Sequence, residues 1–129
     1  MDEAHELTEL QLEVMEVLWS RGEATVAEVQ EAMRAERDLA YSTVATLLSR
    51  LEKRGVIGYR VENRQYVYRP VVSRDAVRES MVERLVTRLF GGSATAMLAH
   101  LLGTREVDPQ DLAQVKEMIE NHERERGET

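Results

Sequence analysis

Apolar positions in the first part of the chain recur at helical spacing. In "LTELQLEVMEVLWSRG", Leu10, Val14, Val17 and Leu18 share one face, widened by Leu12, Met15 and Trp19. Thr8, followed three residues later by Gln11, makes a capping box, so the pattern predicts a helix from Thr8 to Arg21. "GEATVAEVQEAMRAE" repeats the device, with Thr25 and Glu28 ahead of a shorter stripe of Val26, Val29 and Met33, and predicts a second helix. A third follows in "YSTVATLLSRLEKRG". At about 100° per residue its Val44, Leu47, Leu48 and Leu51 fall within one narrow arc. Gly55 offers a left-handed stop behind Lys53 and Arg54, cations suited to the negative end of a helix, so this helix is predicted over about Thr43 to Arg54.

The period then changes. "VIGYRVE" and "QYVYRP" read as two β-rich runs around a two-residue Asn63-Arg64 turn, where Asn63 tolerates the positive φ such hairpins favour; Pro70 ends the second run. Three helices followed by a hairpin is the order of a winged helix-turn-helix. From Ser73 the spacing is helical again. Val77, Met81, Leu85 and Leu89 stand at intervals of four in a helix expected over Asp75 to Phe90 and stopped by Gly91. An apolar segment, Ala94 to Leu102, leads to a last helix capped by Asp108, with Pro109 first and a stripe of Leu112, Val115 and Ile119. "NHERERGET" is expected to fray into solvent.

The expected fold is therefore mainly α. Residues 1–72 form a winged-helix DNA-binding domain of three helices and a β-hairpin wing; residues 73–129 form a helical dimerisation domain. Short helices of this size bury little alone. Val77, Met81, Leu85, Leu89, Leu98, Leu101, Leu112, Val115 and Ile119 are accordingly predicted to meet a second copy of the chain.

Charge sharpens the picture only once it is divided. A net charge of −7 over 129 residues argues against a nucleic-acid partner. Residues 1–36, however, set ten acids against Arg21 and Arg34, and residues 70–129 set eleven acids against eight bases, balances of −8 and −3. Between them Arg37, Arg50, Lys53, Arg54, Arg60, Arg64 and Arg69 oppose Asp38, Glu52 and Glu62, a balance of +4 over residues 37–69. The cations cluster on the third helix and the wing, where a local basic face can hold phosphates while the acidic remainder weakens non-specific binding.

The third helix carries short polar groups near its start and long cations toward its end, opposite its apolar arc. In a major groove, Thr43 and Thr46 would read base edges, their methyls suiting a thymine methyl. Ser42 either caps the helix or contacts DNA. Tyr41 either stacks on sugar and phosphate or packs at the turn. Arg50, Lys53 and, at the wing tip, Arg64 are the expected phosphate clamps. Two such helices one DNA turn apart, about 34 Å, would read a palindrome together.

Other chemistries find little support. No cysteine is present, which excludes disulfides and thiolate sites and fits a reducing compartment. His5, His100 and His122 belong to no paired motif, and the carboxylates lie as solvated helix faces, so neither an enzyme, a metal nor a cofactor is expected. There is no apolar run approaching the ~20 residues of a membrane span, and "MDEAHE" is acidic where a secretory signal is basic, so a cytoplasmic protein without membrane insertion is expected. Two further classes stay open: a winged-helix regulator sensing a small molecule, and a winged helix used only for protein contacts.

Taken together, "LTELQLEVMEVLW", "STVATLLSRLEKRG" and "NRQYVYRP" resemble the penicillinase-repressor (BlaI/MecI) family. The likeness is strong over Leu7 to Pro70, Arg64 matching a family arginine, and continues beyond it in length and helix order. It implies a homodimeric repressor on palindromic operators with TACA and TGTA half-sites, governing β-lactamase or related genes. It also implies a membrane sensor protease as partner, triggering a cut that by the resemblance falls in "MLAHLLG", near His100 and Leu101. This segment departs from the Asn-Phe pair of staphylococcal members, and the cysteine motif of copper-responsive relatives is missing.

Overall fold

A computed structural model describes residues 6–104 and 106–127. His5 lies outside the described residues. The chain runs α1 (Glu9–Arg21), β1 (Ala24–Thr25), α2 (Val26–Met33), α3 (Tyr41–Lys53), β2 (Ile57–Glu62), β3 (Gln65–Pro70), α4 (Arg74–Phe90), α5 (Ala94–Thr104) and α6 (Pro109–Gly127). Thr8 and Thr25 each accept a bond from the backbone N–H three residues on, and Gln11 and Glu28 return it, so both capping boxes form.

Behind these caps Val14, Met15, Leu18, Val29, Val44, Leu48 and Leu51 are fully enclosed, so α1, α2 and α3 close one core. The sheet order is β1-β3-β2, antiparallel throughout. The two-residue β1, unforeseen in the sequence, pairs Ala24 with Tyr68 and Thr25 with Val67, tying the head of α2 to the hairpin. In the wing turn Asn63 and Arg64 have φ of 52° and 65°, and Gly55 has φ of 82° where α3 stops.

Three differences from expectation have local causes. α3 starts at Tyr41 rather than Thr43, from an Ala40 that supplies no side-chain cap. Ser42 thus lies within the first turn, and the capping role considered for it is not what it does. α6 continues through Gly127 instead of fraying from Asn121. Finally, the chain separates into two compact units, Met1–Leu85 and Val86–Thr129, rather than dividing near residue 72. The start of α4 belongs to the first unit because the Trp19 indole N–H donates to the Val72 carbonyl at 2.9 Å, Arg74 pairs with Glu16 at 2.8 Å, and Val77 is buried.

The second unit is built differently. No residue of α5 or α6 is buried, although Leu98, Leu101, Leu102, Leu112, Val115 and Ile119 line an apolar groove there. Among the described residues no single helix is long and apolar enough to cross a membrane.

Candidate nucleic-acid interface

α3 splits its circumference between core and surface. Val44, Leu48 and Leu51 are buried and Leu47 packs against them, while Tyr41, Ser42, Thr43, Thr46, Arg50 and Lys53 are exposed. An ordinary amphipathic helix would look the same at this level. What distinguishes this one is where the cations find partners.

Of the seven cations in residues 37–69, three are held within the first unit. Arg37 donates through Nε to both oxygens of Glu13, at 2.8 and 2.9 Å, and reaches Glu9 at 3.4 Å. Arg54 donates to the Gln11 side-chain oxygen and the Glu6 carbonyl. Arg60 clasps Glu23 with a two-pronged pair at 2.6 and 3.0 Å and holds Glu62 at 2.7 Å, binding the wing to the loop before β1. The hydrogen bond from Arg37, and secondarily its charge, holds the Glu13 carboxyl below the ordinary range; Arg60 does the same to Glu23.

The basic stretch is thus less available than its count suggests, and Arg60 is no free wing cation. Arg69 lies within the field of Glu23. Arg50, Lys53 and Arg64 are exposed, and none forms an ion pair among the described residues. These are the three for which phosphate contacts were expected. Long cations left unpaired near acids that pair with other arginines are positioned for an anion from outside.

Beside them the hairpin carries something the charge pattern did not reveal. Tyr59 and Tyr66 stack with ring centres 4.3 Å apart, and both rings lie about 6 Å from that of Tyr68. The alternation of Tyr59 with Val61 and of Tyr66 with Tyr68 was a readable signal that these rings share a face.

The residues expected to dimerise divide between the units. Val77 is enclosed in the first unit and Met81 packs against that core, so neither is free for a partner. Leu85 and Leu89 are exposed on α4, and Leu98, Leu101, Leu112, Val115 and Ile119 on α5 and α6. His100 is exposed in α5, its ring 5.9 Å from that of Phe90. Among the described residues no group of His, Asp and Glu could hold a metal ion.

A helix-turn-helix whose second helix presents hydroxyls and free cations next to a hairpin wing defines a winged-helix DNA-binding protein. Residues 7–121 match the penicillinase repressor family. The chain belongs to that family and is a DNA-binding transcriptional regulator. It is 41% identical over 107 residues to the transcriptional regulator BlaI of Mycobacterium tuberculosis, covering 81% of this chain and 78% of that one. With the penicillinase repressor of Bacillus licheniformis it shares 23% identity over 122 residues, 95% of each chain. The solution structure of the DNA-binding domain of the repressor BlaI superposes with a TM-score of 0.51 at 28% identity, covering 57% of this chain and 90% of that domain.

Proposed function

We propose that this chain is a cytoplasmic, homodimeric repressor that sets two copies of α3 into successive major grooves of a palindromic operator. Thr43 and Thr46 read bases, with Tyr41 and Ser42 at the same end of the helix. Arg50, Lys53 and the wing-tip Arg64 hold phosphates. The observation that carries this reading is the unpaired state of these three cations while Arg37 and Arg60 are matched by carboxylates. A purely protein-binding wing would gain nothing from leaving them free.

Dimerisation is assigned to the exposed aliphatics of α4, α5 and α6 from Leu85 onward. Leu89 is 70% and Ile119 48% exposed, in a unit whose last two helices bury nothing. Single chains rarely present so much clustered apolar surface without a partner for it. Linking two readers multiplies affinity through effective concentration, so separating them releases the operator. A cut at His100–Leu101, triggered by a membrane sensor protease in response to β-lactam, would detach α6 and all of the groove's apolar lining except Leu98 from the rest.

The test is an anisotropy titration of the full chain on a palindrome with TACA and TGTA half-sites, against a scrambled duplex at matched salt. Selective binding that Thr46→Ala relaxes, and that Arg64→Ala weakens on both duplexes, is expected. Equal affinity for the two duplexes would overturn this operator assignment. Absence of binding even at low salt would leave the protein-contact reading standing. A chain ending at Leu85, the limit of the first unit, should sediment as a monomer and lose the operator; a dimeric one would refute the assignment of the interface.

A further inference from the structure

The wing has one face that the charge argument leaves unused. Along β2, Ile57, Tyr59 and Val61 alternate onto the same side; across the ladder Tyr59 pairs with Tyr68 and Val61 with Tyr66, so those rings lie on that side too. The base of this face is core: Ile57 and Tyr68 are buried in the cluster that contains Leu48 and Leu51 of α3. Its outer half is bare, with Tyr59 42%, Tyr66 49% and Val61 62% exposed. The face that packs on α3 at its root therefore continues outward, uncovered, beside the recognition helix.

We infer that the stacked Tyr59–Tyr66 pair is an uncharged contact to the DNA sugar–phosphate backbone, the Tyr66 hydroxyl donating to a phosphate oxygen while the rings and Val61 lie against deoxyribose. The occupant follows from the surroundings. Free cations flank the platform, Arg64 at the wing tip and Arg50 and Lys53 on α3, so a polyanion is drawn to that edge. The inference rests on α3 and the wing facing DNA.

The hydroxyl chemistry fits a donor. Tyr59 is pushed up by the charge of Tyr66, by its hydrogen bond to Tyr66 and by partial burial, with a further contribution from Glu52. Among the described residues the Tyr66 hydroxyl meets no acceptor other than the neighbouring Tyr59 oxygen, which leaves it able to donate to a phosphate. Glu52 would repel a phosphate, but its charge favours the neutral form of the neighbouring Tyr59.

The experiment is a salt series of anisotropy titrations on the full chain, using the palindromic and scrambled duplexes, for wild type, Tyr66→Phe, Tyr59→Phe and Arg64→Ala. Tyr66→Phe keeps the ring stack and removes only the donor. It should lower affinity about three- to tenfold, equally on both duplexes because phosphates carry no sequence. The slope of log affinity against log salt should stay at its wild-type value, because a neutral donor displaces no counterion; Arg64→Ala should reduce it. Tyr59→Phe, which only removes the supporting bond, should lose less. A matched thermal melt reports on folding, and Tyr66, half exposed, should leave it unchanged. Wild-type affinity in Tyr66→Phe, a loss confined to the palindrome, or a reduced salt slope would each overturn the inference. Failure of the wild type to bind either duplex at low salt would instead overturn the DNA-facing assignment beneath it.

Discussion

At the scale of single residues, Arg64 is the one whose backbone says most. A two-residue turn with both φ values positive ordinarily takes Asn then Gly, and here an arginine occupies the glycine position at φ 65°. Holding a residue with a Cβ there costs about 1 kcal/mol. Such strain at a wing tip points to a side chain retained for contact rather than for stability. Arg64→Gly should therefore raise the unfolding free energy by about 1 kcal/mol in urea titrations while weakening DNA binding and lowering its salt slope. A variant that lost stability and binding together would make the arginine structural. Glu13 offers a second residue-scale prediction. Its carboxyl is held below the ordinary value of 4.5 by Arg37, so the stabilisation is fully present above that value and disappears as pH falls through the lower, folded one. The difference in urea midpoint between wild type and Glu13→Gln should be constant near neutrality and shrink below about pH 4.5.

Elements come next. Each of the first two helices is started by a threonine whose hydroxyl accepts a backbone N–H, and Thr25→Ala should cost about 1 kcal/mol by denaturant melt. In α3, Leu48→Ala opens a cavity in fully enclosed surroundings and should cost about 2–5 kcal/mol, enough to lower occupancy of the operator through unfolding alone. These features were legible because they are local: a threonine three residues ahead of Gln or Glu, an aliphatic arc at helical spacing, an asparagine at a hairpin turn. Three kinds of feature were not. β1 is two residues long and exists only because β3 arrives beside it. The true start of α3 carries no capping side chain to announce it. The pairing of Arg37 with Glu13 and of Arg60 with Glu23 joins residues far apart in sequence, so a local count of +4 overstates the charge that can leave the protein. The phosphate-contact candidates Arg50, Lys53 and Arg64 were readable; that they, with Arg69, are the cations of this stretch without an ion pair among the described residues required the folded chain.

For the whole molecule, the two units call on different physics. The first encloses its own core; α5 and α6 in the second enclose nothing, yet hold a row of exposed aliphatics. Placing a charge in the groove, as in Ile119→Glu, should convert dimer to monomer in sedimentation velocity with the first unit still folded, and should lower operator affinity by ten- to a hundredfold or more. A dimer that survived the substitution would move the interface elsewhere.

The arrangement of matched and unmatched charge in the first unit has one more consequence, for the approach to DNA. Residues 1–36 carry ten acids, more than the arginines that pair with them among the described residues (Arg21, Arg34, Arg37, Arg60, Arg74 and Arg84), while α3 and the wing tip keep Arg50, Lys53 and Arg64 without an ion pair. A body so divided is an electric dipole, and near a duplex it experiences a torque. If α3 and the wing face DNA as proposed, the edge they form should turn toward the phosphates and misoriented encounters should be repelled before contact. Search along non-cognate DNA can then be brief and correctly faced, and the negative net charge serves as a means of letting go.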